Sequence, residues 1–171
     1  VLYDATNTQF SKMLANLSAL FDKAIANAQA RKYDPELLLQ ARLSPDQFAL
    51  TRQVLIACDT AKLGASRLTG KPAPSHADTE STIAELRARI AETIAYLATF
   101  TAEDLVGAED RVISQPRWEG KTLTGAQFAQ QHMIPNFYFH VSMAYAILRH
   151  NGVDVGKRDY LGNMPFKAPA T

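Results

Sequence analysis

The amino-acid sequence reads as an all-α four-helix bundle with a small hairpin before the last helix, on three grounds. Three long stretches place apolar residues at the 3.6-residue spacing of a half-buried helix. A fourth, from Thr122 to Leu148, runs 27 residues without a Lys, Arg, Asp or Glu. The 8 Gly and 8 Pro gather at a few places between these stretches, where they punctuate the chain.

From about Asp4 to Ala30, the residues Phe10, Leu14, Leu17, Phe21, Ala24 and Ala28 form one apolar stripe. Asp34-Pro35 then marks a turn, with one short helical turn through Leu38 and Leu39. Ser44-Pro45-Asp46-Gln47 reads as the start of the second helix. Ser44 can accept from the third amide, Pro45 suits the first helical position, Asp46 complements the positive end of the macrodipole, and Gln47 can close a capping box. That helix carries Leu50, Val54, Ala57, Ala61 and Leu68 and stops near Thr69-Gly70, ahead of Pro72 and Pro74.

Asp78 or Thr79 caps the third helix, whose stripe of Ile83, Leu86, Ile90, Ile94 and Leu97 lies opposite Glu85, Arg89 and Glu92. Between Gly107 and Thr122 the pattern changes: Arg111–Ser114 and Lys121–Leu123 flank a turn holding Pro116 and Gly120, which reads as the hairpin. The charge-free fourth helix runs from about Thr124 to His150 and ends at Asn151-Gly152, a left-handed cap. Helices of about 22 to 28 residues are roughly 33 to 42 Å long, which suits a bundle. The loops before Ser44 and after Gly70 are long enough for a path other than up-and-down. The remainder, 153–171, with Gly156, Gly162, Pro165 and Pro169, reads as an irregular surface tail, and the 171 residues are sized for a single domain.

The charge balance of 18 Lys+Arg against 17 Asp+Glu, with no basic run, argues against nucleic acid and anionic membranes as partners. The charge-free stretch is long enough to span a bilayer. Its Gln127, Gln130, Gln131, His132, Asn136 and His140, with Pro135 among them, argue instead for a helix buried inside a protein. A lone Cys58 forbids an intrachain disulfide and, with no signal-peptide pattern, points to the cytoplasm.

Bundle cores build sites from inward polar residues on facing helices. His132, Asn136 and His140 stand at i, i+4 and i+8, so one face of the last helix can present all three to the same channel. Pro135 removes a backbone bond to Gln131 and leaves a polar group free near His132; this suits a site or a plain kink equally. As a metal motif the line is weak, because Asn is a poor ligand and two histidines eight apart are separated by about 12 Å of rise. Hydrogen-bonded core histidines are therefore the plainer reading of His132 and His140. His76 and His150 read as solvated, and Asp59 with Lys62 as an exposed or interface pair. Cys58, one turn beyond Gln53, reads as a small apolar group before it reads as a nucleophile.

The run His140-Val-Ser-Met-Ala-Tyr-Ala-Ile-Leu-Arg149-His-Asn-Gly152 resembles the last-helix signature of the DinB/YfiT-like superfamily, in which a histidine precedes an arginine by nine and a glycine by twelve. Ala41-Arg-Leu-Ser-Pro-Asp-Gln-Phe48, Arg52-Gln53, Ala57-Cys-Asp59, Pro135-Asn-Phe-Tyr-Phe-His140 and Gly156-Lys-Arg-Asp-Tyr-Leu-Gly162 resemble a bacterial and fungal branch of it, a domain of unknown function. The resemblance covers essentially the whole chain. It implies a four-helix bundle, often dimeric, whose better-known members bind a divalent metal through three histidines and include thiol-dependent transferases and isomerases. Two of those histidines lie four apart on the last helix and the third on the second helix. Here the later one is His140, the earlier falls on Asn136, and Gln53 stands where the second-helix histidine is expected. Two of the three ligands are thus missing, and Asp46 or Asp59 would have to substitute as an oxygen ligand.

Two functions follow as expectations. In the first, a cytoplasmic homodimer without cofactor binds a small molecule in a cleft between helices two and four, through Gln53, Asn136, His140 and His132, edged by Phe48, Tyr138 or Met143. In the second, the protein is an enzyme, acting by acid–base chemistry at His140 or through a weakly bound divalent metal such as Zn or Ni, on a thiol-linked or organic substrate.

Overall fold

The computed structural model describes residues 1–168; the last three residues of the predicted tail, including Pro169, lie outside the described residues. Three long helices form where the apolar stripes run: α1 (Gln9–Arg31, extended at its start by a π-helical segment, Asp4–Thr8), α2 (Leu50–Thr69) and α3 (Ile83–Leu97). The last helix is continuous but mixed, with α4 (Gly125–Phe128), a π turn (Ala129–Met133) and α5 (Ile134–His150). All six residues of the α1 stripe and all five of the α2 stripe are buried. Phe10 of α1 stacks on Phe137 of α5 with ring centroids 3.8 Å apart.

The helices form a ring in which α1 packs on α3 and α5, and α2 packs on the same two. Helices consecutive in sequence, α1 and α2, therefore stand diagonally across the core. The chain between them, which includes a 3-10 turn at Pro35–Gln40 capped by Asp34, carries the path around the ring. No helix among the described residues is long and apolar enough to cross a membrane.

Several ends differ from the sequence reading. Residues Ser44 to Gln47 close a turn, the Gln47 amide donating to the Ser44 carbonyl at 3.1 Å, and α2 begins six residues later than Ser44. The reason lies in Gln53, whose buried amide donates to the Phe48 carbonyl at 3.0 Å. Inside a longer helix that carbonyl would accept from the Arg52 backbone amide, and Gln53 would have to share it. Asp46, an exposed turn residue, takes the Ser44 hydroxyl as its partner and caps no helix. The cap of α3 is Thr82, which with Glu85 forms a full capping box, in place of Asp78 or Thr79.

Asp78 is instead drawn into a charge cluster around Arg89. Arg89 is 2% exposed and bonds Asp59 at 2.8 Å, Asp78 at 3.1 Å and Glu80 at 2.9 Å, so it is not on a solvated face of α3. Asp59 and Lys62 are likewise not an exposed pair. Lys62 is buried, 3.0 Å from Asp59 and 2.8 Å from the His76 ring, whose other nitrogen meets Glu92 at 3.1 Å. His76 is thereby half-buried at the α2–α3 seam and not a solvated loop residue.

The ends of α2 and α5 follow the expected chemistry: Gly70 and Gly152 both take positive φ, 79° and 87°. The hairpin is present as two short strands, β1 (Val112–Ile113) and β2 (Leu123–Thr124), antiparallel with Val112 opposite Thr124 and Ile113 opposite Leu123. Its long loop contains a 3-10 turn at Pro116–Trp118. Beyond α5 the chain is more ordered than a surface tail. Val153 and Val155 are buried, and a short helix, α6 (Lys157–Leu161), lies on α1, where Lys23 pairs with Asp159 at 3.0 Å and Asn16 donates to the Tyr160 carbonyl at 3.0 Å.

Candidate functional site

Pro135 lies near the start of α5, where its ring would press on the carbonyl one turn back. The π turn just before it widens the helix and relieves that clash. Met133, at the end of the π turn, lies against α2 at Gly64. A Cβ at Gly64 would sit 2.4 Å from Met133 Cε, so any larger residue must displace that side chain.

Beside this contact a cleft of about 530 Å³ is bounded by one face of α2, by the last helix and by the hairpin loop. From α2 come Arg52, Ile56, Asp59, Thr60, Leu63 and Arg67, one stripe at helical spacing. His132, Asn136 and His140 line the opposite wall with Phe128, and the loop adds Gln115, Pro116 and Arg117. The three polar residues of the last helix therefore do share one channel, despite the π turn between His132 and Asn136.

Gln53 sits behind His140 and outside the lining. Its Oε1 is 2.7 Å from His140 Nδ1, while its Nε2 donates to the Phe48 carbonyl. A carbonyl only accepts, so the network orients the amide and assigns the imidazole proton to Nδ1. His140 Nε2 is left with an unshared lone pair and no hydrogen-bond partner among the described residues. Burial, assisted by the nearby Arg52 guanidinium, pushes the His140 pKa down to about 4, which keeps the ring neutral at pH 7. Asn136 donates to the Thr60 hydroxyl at 2.8 Å, and Thr60 donates in turn to the Ile56 carbonyl at 2.7 Å.

His132 belongs to a second group at the other end of the cleft. The Arg117 guanidinium lies 3.0 Å from His132 Nε2 and can only donate, so Nδ1 carries the proton, and that atom is buried without a partner. The ring is stacked on Phe128 at 5.5 Å and met edge-on by Trp118 at 5.7 Å. Its pKa is held below the usual histidine value by burial first, then by Arg117 and Arg67.

Among the other sequence candidates, Phe48 lines the cleft, but Tyr138 does not; it packs edge-on against Phe10 and Phe137. Met143 accepts from Gln47 at 3.3 Å and is also outside the lining. Asp46 is not among the lining residues. Asp59 lines it, with a carboxylate bonded to Lys62 and Arg89. Cys58 is fully buried and burial pushes its thiol up to about 12, so it is a neutral packing group. Among the described residues, no three or more His, Cys, Asp or Glu side chains are grouped to hold a metal ion.

Spacing alone missed the cationic, hydroxyl and amide groups of the cleft: Arg52 as a lining residue, Thr60, Arg67, Gln115 and Arg117. The α2 members are visible in the sequence as a polar stripe, which is indistinguishable there from a solvated face. Gln115 and Arg117 carry no sequence signal, since only the fold of the hairpin loop brings them to His132.

The sequence profile of a family described as Domain of unknown function (DUF1993) matches residues 2–161. No match is found among curated proteins. Among solved structures, the crystal structure of a DinB family member protein from Shewanella denitrificans is 60% identical, with 98% of this chain and 96% of that chain covered and a TM-score of 0.96. The matched span takes in every helix described above, and the chain accordingly belongs to the DUF1993 family, with a DinB-like helical fold.

Proposed function

We propose that the protein binds a small molecule in the cleft between α2 and α5 and lacks the three-histidine metal site that the superfamily resemblance brings with it. One observation supports this most strongly: at the three positions where imidazoles are expected stand Gln53, Asn136 and His140, and both amides already have partners. The Gln53 oxygen accepts from His140 itself, and Asn136 donates to Thr60. One imidazole and two amides form a poor donor set for zinc or nickel. As a binding site the same residues are well arranged, with Gln53 fixing the His140 ring so that Nε2 is free to accept from a ligand O–H or N–H.

The enzyme reading draws on the same unshared lone pair. It is the weaker of the two, because a group with a pKa of about 4 is a poor proton acceptor at neutral pH. A homodimer, on the strength of the resemblance, and a cytoplasmic location, on the lone Cys58, remain part of the proposal, and sedimentation of the purified chain checks the first. Metal analysis of protein purified without a histidine tag, repeated for His140→Ala, tests the central point. Substoichiometric metal in both is expected. Stoichiometric zinc or nickel that disappears in His140→Ala would overturn the metal-free reading.

A further inference from the structure

We propose that the cleft takes a small organic anion, its acidic oxygens held between Arg67 and Arg117 and its apolar body against Ile56, Leu63 and Phe128. This rests on the binding-cleft reading and adds the chemical class of the ligand.

Charge is the first argument. Three guanidiniums line the cleft and a single carboxylate, Asp59, faces them. Asp59 is already engaged by Lys62 at 3.0 Å and Arg89 at 2.8 Å. Arg52 has a distant partner in Asp78, at 3.6 Å. Among the described residues, Arg67 and Arg117 have no carboxylate within ion-pair distance, although Arg67 is half-buried. Burial and then the Arg117 charge both make the protonated form of Arg67 harder to hold. Two neighbouring cations without a counter-charge at the wall of a cleft form a site that an anion would stabilise.

Hydrogen bonding is the second, independent argument. Arg117 donates to His132 Nε2, which leaves the His132 Nδ1–H as a buried donor without an acceptor. Gln115 is 8% exposed, lines the same end of the cleft, and its Nε2 is also buried without a partner. The buried side-chain atoms left without a partner at this end are thus both donors, and unmatched buried donors are costly enough that native structures seldom keep them. A carboxylate or a phosphate brings only acceptors, and guanidinium groups bind either one by charge-assisted hydrogen bonds. At the other end His140 Nε2 can only accept, and the Arg52 guanidinium beside it can only donate. A ligand with acidic oxygens at one end and a hydroxyl, which both donates and accepts, at the other matches both.

Trp118 is the only tryptophan in the sequence and stands 5.7 Å from His132, so its fluorescence reports occupation of the basic end. The tag-free full chain is titrated with inorganic phosphate, with octanoate, and with 1-octanol as the uncharged counterpart of octanoate. A saturable change is expected with at least one anion, and the preferred one distinguishes a phosphate from a carboxylate ligand. Its affinity should fall about ten-fold or more in Arg67→Gln and again in Arg117→Gln, the loss expected for a charge-assisted hydrogen bond, and Arg67→Lys should keep most of it. Arg117 is exposed on the loop, so its variant tests the site even where a change at Arg67 unsettles the helix. No saturable response to either anion, or equal affinity in the Gln variants, would overturn the proposal. Octanol binding as tightly as octanoate would overturn it too while leaving the cleft reading intact. Stoichiometric metal lost in His140→Ala would remove the reading beneath it, whatever the anions do.

Discussion

Acid should destabilise this protein through His140, by an amount that one substitution can isolate. The ring is 7% exposed, its Nδ1–H is bonded to Gln53, and burial followed by the Arg52 charge holds its pKa at about 4 against the ordinary 6.5. Above pH 6.5 neither the folded nor the unfolded chain protonates it, and stability is unaffected. Between pH 6.5 and 4 the unfolded chain binds a proton that the folded chain refuses, so stability falls as pH falls. By pH 4 the loss amounts to about 3 kcal/mol, since a tenfold difference in proton affinity between the two states is worth about 1.4 kcal/mol. His140 lines the cleft, where solvent screens its charge, so about 3 kcal/mol is an upper bound. His140→Gln removes the titrating group but keeps an amide able to donate to Gln53, and all other acid-labile groups are common to both proteins. Urea denaturation at pH 7, 5 and 4 should therefore show wild type losing up to about 3 kcal/mol more than His140→Gln between pH 7 and 4. An NMR titration of the ring protons gives the pKa directly. A midpoint near 6.5, or parallel loss of stability in both proteins, would refute the account of a desolvated neutral imidazole.

Gln53→Leu should strip the His140 Nδ1–H and the Phe48 carbonyl of their partners together; a cost of about 1 to 3 kcal/mol is expected by urea denaturation, with a change in imidazole tautomer visible in the ring nitrogen shifts. Arg89→Ala removes the centre of three ion pairs, a loss of about 3 kcal/mol, at the lower end for a buried pair because Asp59 and Asp78 stay partly hydrated. At this chain length that corresponds to a drop in Tm of roughly 6 to 12 °C by calorimetry, and a change under about 2 °C would refute it. Gly64→Ala should cost about 1 to 3 kcal/mol through the clash with Met133, and in a double-mutant cycle with Met133→Ala, itself costly because Met133 is fully buried, the combined loss in thermal melts should be smaller than the sum of the single losses.

The apolar stripes were the most legible part of the chain. Phe10 to Ala28 and Leu50 to Leu68 specify two buried helix faces without reference to anything else, because a 3.6-residue period is local and the burial it demands is generic. Helix starts were less legible. Ser44-Pro45-Asp46-Gln47 satisfies every local rule for a cap, yet the helix begins at Leu50, since the buried amide of Gln53 needs the carbonyl of Phe48. The local preference is worth about 1 kcal/mol, and an unsatisfied buried amide costs more.

The same division holds at the site. The i, i+4, i+8 spacing of His132, Asn136 and His140 was enough to put all three along one cleft, because residues on one helix keep their relation wherever the helix goes. Their partners were beyond the reach of spacing. Gln53 stands 87 positions before His140, Arg117 comes from a loop, and Arg67 looks like any solvated helical arginine until the hairpin is folded against it. Periodicity, composition and caps are properties of neighbouring residues and survive in the bare sequence. Charge left without a counter-charge, a proton assigned to one ring nitrogen and a donor without an acceptor are properties of groups brought together from distant positions, and they come into being only when the bundle closes.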